Sequence, residues 1–280
     1  MKTKNLFAAL LVLAGSALTT SAVTITAGAN DLILGFYATG GTGATTNVEV
    51  DLGNVSQFYS VSSPFTVTGL NVADLSSAYG ANWMNRSDLF WGVAGTTGSA
   101  TGTTIGGNAI AAKTLWAGKT EATFGIQSTA WARGSTFAQQ GPANTIATLY
   151  SGGLGSLNGA TATANSSTAA LVDNTLAGSW SKQEGNNAAA FGNFTKNLFD
   201  NATPANFGQA ADLYELQPGS GAGTYIGSFG LNANGLVFAG NPADTAATTV
   251  PEPSTYAAIL GAVTLGFVVV RRRVQRSAKA

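Results

Sequence analysis

Alternation of apolar and polar residues predicts β-strands near the start of the chain. Residues 47–52 alternate strictly, with Val, Val and Leu on one side and Asn, Glu and Asp on the other. This is the period of a strand that buries one face. The two acids, Glu49 and Asp51, are therefore expected on a solvated face. Residues 32–38 form an apolar run too short for a helix, which predicts another strand.

The clearest β pattern lies towards the end of the chain. Residues 212–217, 225–231 and 235–238 are predicted strands, separated by a loop rich in proline and glycine and by a turn at Asn234-Gly235. Asn-Gly favours the tight turns of β-hairpins, because both central residues of such turns need positive φ. These three segments predict an antiparallel meander.

Helices are expected to be few and short. Residues 71–80 predict one helix, which Gly80 ends. Residues 145–170 start with a short helical pattern at 146–150 and then become rich in Gly, Ala, Ser and Thr, which predicts surface loops. The predicted fold class is mainly β, an antiparallel sandwich-like or meander domain with a few short helices.

The composition supports a folded, loop-rich body. Only 9% of the residues are charged and 36 are glycines, but the chain also contains 14 Phe, 7 Tyr and 5 Trp. Disordered chains lack this aromatic area, which offsets the loss of chain entropy on folding. Strands around residues 88–98 and 113–126 are expected to supply much of the core. Their core candidates are Phe90, Trp91, Leu115, Trp116 and Phe124.

The first residues have the pattern of a secretory signal peptide. Lys2 and Lys4 precede an apolar segment over residues 6–13, and small residues follow. Cleavage is expected after Ala22, with Ala17 as the alternative. Residues 1–22 are therefore expected to direct export and to be removed.

The last residues combine three features. Pro251, Glu252 and Pro253 come first, and a charge-free apolar run over residues 256–270 follows as an expected membrane helix. Three consecutive arginines then end the run. Under the positive-inside rule these arginines would remain in the cytoplasm and act as a membrane stop. The three arginines are Arg271, Arg272 and Arg273.

This arrangement resembles the PEP-CTERM sorting signal of exported bacterial proteins. The resemblance implies that a membrane-embedded protease, exosortase, cuts near the Pro-Glu-Pro and frees the body to the cell surface or into exopolysaccharide. It divides the chain into a signal peptide (1–22), an extracellular mainly-β domain (23–239), a linker (240–250) and the sorting signal (251–280). A plain single-span tail anchor is the alternative.

Charge and residue usage exclude several kinds of activity. The body over residues 23–250 contains six basic and twelve acidic residues, so nucleic-acid binding is not expected, because it needs clustered Lys and Arg. The chain contains no histidine and no cysteine, which excludes Ser-His-Asp triads, thiol nucleophiles and the commonest zinc sites. No cofactor, metal site or catalytic residue is therefore assigned.

Two kinds of candidate site remain in the body. The acid pairs Glu49/Asp51 and Asp212/Glu215 could in principle serve glycosidase chemistry, which needs two acids about 5–10 Å apart, although solvated acids are the simpler interpretation. A weak calcium or sugar contact at the first pair is a further alternative. Exposed tryptophans could form a stacking platform for sugar rings, although each is first expected in the core. The tryptophans are Trp83, Trp91, Trp116, Trp131 and Trp180.

The sequence therefore predicts an exported, non-enzymatic protein of the bacterial surface, extracellular matrix or biofilm, with exosortase as its processing partner. It is expected to be anchored transiently in the inner membrane and then released to the cell surface or outside the cell. A carbohydrate-binding module for exopolysaccharide is the alternative, and a carboxylate-dependent glycoside hydrolase is the third hypothesis.

Overall fold

The structure is a computed structural model that describes the body of the chain. The described residues are 27–98, 100–121, 124–125, 129–152, 161–162, 169–176, 178–182 and 210–241. The predicted signal peptide, most of the linker and the sorting signal, including the expected membrane helix 256–270, lie outside these residues. Within them, no helix combines the length and the hydropathy that crossing a membrane requires.

The described strands form one large antiparallel sheet and one separate hairpin. In chain order the strands are β1 (Asp31–Ala38), β2 (Thr46–Asn54), β3 (Phe65–Val67), β4 (Leu89–Thr96), β5 (Thr103–Ile105), β6 (Asn108–Ile110), β7 (Leu115–Glu121), β8 (Thr161–Ala162), β9 (Ala169–Asp173), β10 (Ala210–Leu216), β11 (Thr224–Asn232) and β12 (Gly235–Gly240). The large sheet has the order β3-β12-β11-β10-β7-β4-β1-β2-β9-β8, and β5 pairs only with β6.

The mainly-β prediction is confirmed, and the meander is found where it was predicted. Strands β10, β11 and β12 follow one another along the chain and pair in that order. The β11–β12 turn is tight, since Asn232 pairs with Gly235 and its Oδ1 accepts from the backbone N–H of Asn234 at 2.8 Å. All the described strands except β5 and β6 belong to one curled antiparallel sheet.

The main core lies on one face of this sheet, which we call the inner face. Alternate residues of each strand point to it, as the period of two requires. Helix α1 (Val72–Tyr79) covers part of this face, with Asn71 as its N-cap and Gly80 at φ +90° as its end. The Tyr79 hydroxyl donates to the carbonyls of Phe36 and Thr46 at 2.9 and 3.1 Å. The predicted helix over residues 71–80 is thus confirmed, and hydrogen bonds from its last residue hold it against β1 and β2.

A second apolar cluster lies on the opposite, outer face. Helix α2 (Thr136–Gly152) packs there through Ala143 and Ile146. The Trp180 ring lies directly over Gly35, where a Cβ would approach Trp180 Cδ2 to 1.7 Å. The predicted helical start at 146–150 lies within α2 and is confirmed, but the helix is 17 residues long and begins earlier, at Thr136. The loop prediction up to residue 170 is wrong at its end, where β9 begins at residue 169.

The core candidates differ in how deeply they are buried. Trp91, Leu115 and Trp116 are buried, as predicted. Phe90 is half-buried because it points away from Trp91 on the same strand, and its ring stacks on Tyr37 with the ring centroids 5.5 Å apart.

Arg86 joins the loop before β4 to the β1–β2 connection. Its guanidinium donates two hydrogen bonds to Asp88, at 2.8 and 3.0 Å. It also donates to the carbonyls of Gly40 at 2.6 Å and Tyr79 at 3.0 Å, and to the carbonyl of Thr42. One side chain thus supplies donors to three separate segments that lie close together near the end of α1.

We expect the stabilisation from Asp88 to depend on pH. Its hydrogen bonds with Arg86 hold the pKa of the Asp88 carboxyl below its usual value, so its contribution is present above the unfolded-state pKa near 3.9 and is lost as the pH falls through the folded-state pKa. Because this carboxylate is 35% exposed, we expect the effect to be below about 1 kcal/mol.

The measurement is urea unfolding of the wild type and D88N at neutral pH and at low pH. The wild type should be more stable than D88N only at neutral pH, since protonated aspartate and asparagine are both uncharged. An unchanged difference in the free energy of unfolding at low pH would contradict the assignment.

Candidate functional site

A half-open cleft lies where the inner face meets the β5–β6 hairpin. It has a volume of about 420 Å³, within the range of about 300–1,000 Å³ that is usual for small-ligand pockets. The ends of β10, β11 and β12, the β6 strand and the segment that follows residues 55–58 all contribute to it. Its polar lining includes Tyr59, Asn108, Glu215, Gln217, Thr224 and Asn241. We call it the Glu215 cleft.

A chain of hydrogen bonds fixes the floor of the cleft. The Trp116 indole N–H donates to the Tyr59 hydroxyl at 2.8 Å, and this hydroxyl donates to Glu215 Oε2. Gln217 Nε2 donates to the other carboxylate oxygen, Oε1, at 2.7 Å. Strand register explains the first part of this arrangement, because Glu215 on β10 lies directly opposite Trp116 on β7 and cross-strand neighbours are in contact.

Among the described residues, no cationic side chain forms an ion pair with the buried carboxylate of Glu215. The side chain is 6% exposed, and the ion pair found among the described residues, Arg86 with Asp88, is elsewhere. Burial, followed by the negative charge of Glu215, raises the pKa of Tyr59 well above its usual value. Tyr59 therefore keeps its proton and remains a donor to the carboxylate over the physiological pH range.

The Asp212/Glu215 pair does not form one site. Leu213 belongs to the inner cluster and Tyr214 to the outer one, so Asp212 and Glu215 point to opposite faces of β10. Asp212 Oδ1 accepts from the Ser228 hydroxyl, not from any group of the cleft. Both acids are buried, and the prediction that they are solvated is wrong, because protein groups cover both: Tyr59 and Gln217 contact Glu215, and Ser228 contacts Asp212.

The Glu49/Asp51 pair shares the outer face, as the alternation predicted. Glu49 is however only 1% exposed, so its predicted solvation is wrong. β9 pairs with β2 here, and the segment around Trp180 covers it, with Asn47 Oδ1 accepting from the Ser181 N–H at 2.6 Å. Asp51 is half-buried, and burial raises its pKa. Among the described residues no group of three or more acidic side chains is placed to hold a metal ion.

The tryptophans do not form an exposed stacking platform. Trp83, Trp91, Trp116 and Trp180 are at most 4% exposed, which confirms the core interpretation for these four. Trp131 is half-buried, and its indole N–H donates to the Gly118 carbonyl at 3.1 Å. The tryptophan-based interpretation of sugar binding therefore loses its structural basis in the described residues.

The comparison with known families bears on the last part of the chain. Residues 249–273 match the family model of the PEP-CTERM protein-sorting motif. The chain carries a PEP-CTERM sorting motif. The match covers Pro251, Glu252, Pro253 and the three arginines at 271–273, the residues on which the sequence resemblance rests. No curated protein and no solved structure matches the chain.

The PEP-CTERM motif gives the protein a route and a processing partner. It is a recognition signal for exosortase, so this is an exported protein that exosortase processes and sorts towards the cell surface. The motif residues and the predicted cleavage residue Ala22 lie outside the described residues. β12 ends at Gly240 and Asn241 lines the Glu215 cleft, so the sorting segment begins ten residues after the cleft along the chain.

The Glu215 cleft was not predicted as a site. Its floor joins Tyr59, Trp116 and Glu215 from distant parts of the sequence, and none of the three belongs to a recognisable motif. The available signal was the order Leu213, Glu215, Gln217 along one face of a predicted strand. It places an acid and an amide on the same face as an apolar residue, and an acid that is buried in this way needs a local hydrogen-bonding partner.

Proposed function

We propose that this protein is an exported component of the bacterial surface or extracellular matrix, associated with exopolysaccharide or biofilm, and that its body has no enzymatic activity. The observation that carries the proposal is the PEP-CTERM match at residues 249–273, joined to a signal-peptide pattern at residues 1–22. The two signals act in sequence, since the first starts export and the second ends it.

The length of the apolar run supports a temporary anchor. The 15 residues over 256–270 would extend about 22 Å as a helix, whereas the hydrocarbon core is about 30 Å thick. Arginines that extend their side chains to the interface reduce this mismatch. A short span stopped by cationic residues holds the body at the outer side of the inner membrane until the protease acts.

The sequence before the anchor suits a protease cleft. Each proline fixes φ and removes one N–H, and the residue before each proline is biased to an extended conformation. Residues 250–253 are therefore biased to the extended form in which proteases bind their substrates, with Glu252 as a single recognisable charge.

A non-enzymatic body agrees with how its acids are arranged. The closest pair in sequence near the cleft, Asp212 and Glu215, points to opposite faces, so it cannot flank a glycosidic bond as hydrolases of that type require. The chain also lacks the histidine and cysteine on which most acid–base and nucleophilic sites depend. We therefore propose an architectural or binding role for the body.

The decisive experiment compares the intact mass of the protein from normal and exosortase-deficient cells. Released protein from normal cells should lack residues 1–22 and the segment after the Pro-Glu-Pro, whereas deficient cells should retain the anchored form in the inner membrane. Extracellular protein that still carries residues 256–270 would refute the proposed route. Extraction with the polysaccharide fraction of the matrix would test the final location.

A further inference from the structure

We propose that the Glu215 cleft binds a neutral saccharide through the Glu215 carboxylate. The proposal concerns the body alone, and it goes beyond the sorting function because it would hold or fail whether or not exosortase cuts the chain. It also differs from the tryptophan platform, since Trp116 is buried and acts by donating its indole N–H to the Tyr59 hydroxyl, which positions Tyr59.

The first argument is the acceptor capacity of the carboxylate. An ionised carboxylate offers about four lone-pair positions, and Glu215 uses two of them, for Tyr59 and Gln217. Both donors are neutral, so the charge at the cleft floor is not cancelled. Hydrogen bonds from a ligand to such a group are charge-assisted and stronger than neutral ones. Ligand hydroxyl groups are donors of the right kind for the remaining positions.

The second argument is the chemistry of the walls. Asn108, Thr224 and Asn241 line the cleft with amides and a hydroxyl, which both donate and accept. Sugar hydroxyls have the same double character. Ile110 and Ile226 add apolar surface to the lining, against which the C–H face of a sugar ring can pack. Among the described residues that line the cleft there is no basic side chain, which argues against an anionic ligand.

A cation fits this lining less well than a neutral polyol. A metal ion or polyamine needs several anionic or carbonyl acceptors, but Glu215 is the only carboxylate of the described lining and two neutral donors already contact it. The neutral saccharide is therefore the ligand class that the observations favour.

The third argument is preorganisation. Tyr59 is held by Trp116 on one side and Glu215 on the other. Gln217 is held in the same way, because its Oε1 accepts from the Ala111 N–H at 3.3 Å while its Nε2 donates to Glu215. Binding groups that are already fixed lose little conformational entropy when a ligand arrives. The cleft floor thus has the rigidity of a built site.

The test is ligand-observed NMR on the full chain in a detergent without a sugar headgroup. The probes are maltose, cellobiose, lactose and mannobiose, each at up to about 10 mM, the range in which weak carbohydrate contacts are detectable. Spermidine and calcium chloride are tested in parallel. We expect at least one disaccharide to bind, and E215Q to weaken it about tenfold or more, the loss that follows when one charged hydrogen-bonding partner is removed.

The matched control is D173N, which removes the same charge from an exposed strand end on another part of the sheet. It should leave the affinity for the disaccharide unchanged. If E215Q does not fold, N108A replaces it, because Asn108 is exposed at the rim and its loss should weaken binding about threefold or more. The proposal is overturned if no disaccharide binds, if the cleft variants bind as the wild type does, or if only spermidine or calcium binds.

Discussion

Replacing Phe58 with alanine is expected to lower the free energy of unfolding by about 3–5 kcal/mol, the usual cost of emptying a buried phenylalanine site. Phe58 is completely buried on the inner face at the end of a short 3-10 turn. It is the centre of an aromatic cluster drawn from both ends of the described chain. The distances from its ring centroid are 4.9 Å to Phe238, 5.2 Å to Phe229 and 6.0 Å to Phe65.

This effect should be large because the site has little freedom to collapse. The neighbouring rings of Phe229 and Phe238 lie on adjacent strands whose spacing the sheet fixes, so they cannot move freely into the space that Phe58 leaves. Edge-to-face ring pairs add about 0.5–1.5 kcal/mol each beyond area burial. The cluster also attaches the edge strand β3 to the sheet, through Phe65.

Phe137 supplies the control for this prediction. It is 88% exposed near the start of α2, and F137A should change the free energy of unfolding by no more than about 0.5 kcal/mol. Guanidinium unfolding followed by tryptophan fluorescence measures both variants. If F58A destabilised the protein no more than F137A does, the aromatic cluster would not be the centre of the core.

The strands could be predicted from sequence because their pattern is local. The alternation over residues 47–52 correctly separates Val48 and Val50 from Glu49 and Asp51. The turn between β11 and β12 was also predicted, but its two loop residues are 233 and 234 rather than 234 and 235, because Asn232 pairs with Gly235. Period-two alternation reports which residues share a face. It does not report what covers that face. The prediction that Glu49 is solvated was therefore wrong, since β9 and Trp180, which cover it, come from much later in the chain.

Helix α2 could not be predicted to its full length for a different reason. Gly141 and Pro142 lie inside it, and both residues weaken helices in isolation. Pro142 removes one hydrogen bond of the helix, but the residues beside it still place Ala143 and Ile146 against the outer face of the sheet. Packing of an apolar face outweighs local propensity here.

The Glu215 cleft depends on the pairing register between β7 and β10, which cannot be read from local sequence patterns. Trp116 reaches the neighbourhood of Glu215 only because β7 and β10 pair with these two residues opposite each other. A shift of one residue would send Glu215 to the outer face, where Asp212 lies. The sorting motif is the opposite case. Its residues are consecutive, so the sequence was sufficient to find it.

Substitution of Glu252 by glutamine is expected to slow exosortase processing about 10- to 100-fold. A hydrogen bond to a charged group contributes about 1.5–3 kcal/mol, and 1.36 kcal/mol corresponds to tenfold in rate. Glutamine keeps the size of the side chain and removes only the charge beside the membrane surface. Uncleaved E252Q should therefore accumulate in the inner membrane, and cell fractionation followed by intact-mass analysis measures the uncleaved fraction.

Two companion variants separate recognition of the charge from other effects. D244N removes an acid from the linker just before the motif and should be processed like the wild type. Double replacement of Pro251 and Pro253 by alanine keeps the charge but frees the backbone, because alanine does not fix φ and favours helix. This double variant should also be cleaved more slowly, since a helical segment presents no extended strand to the protease. Release of E252Q at the wild-type rate would show that exosortase reads the backbone shape of the prolines and not the acid between them.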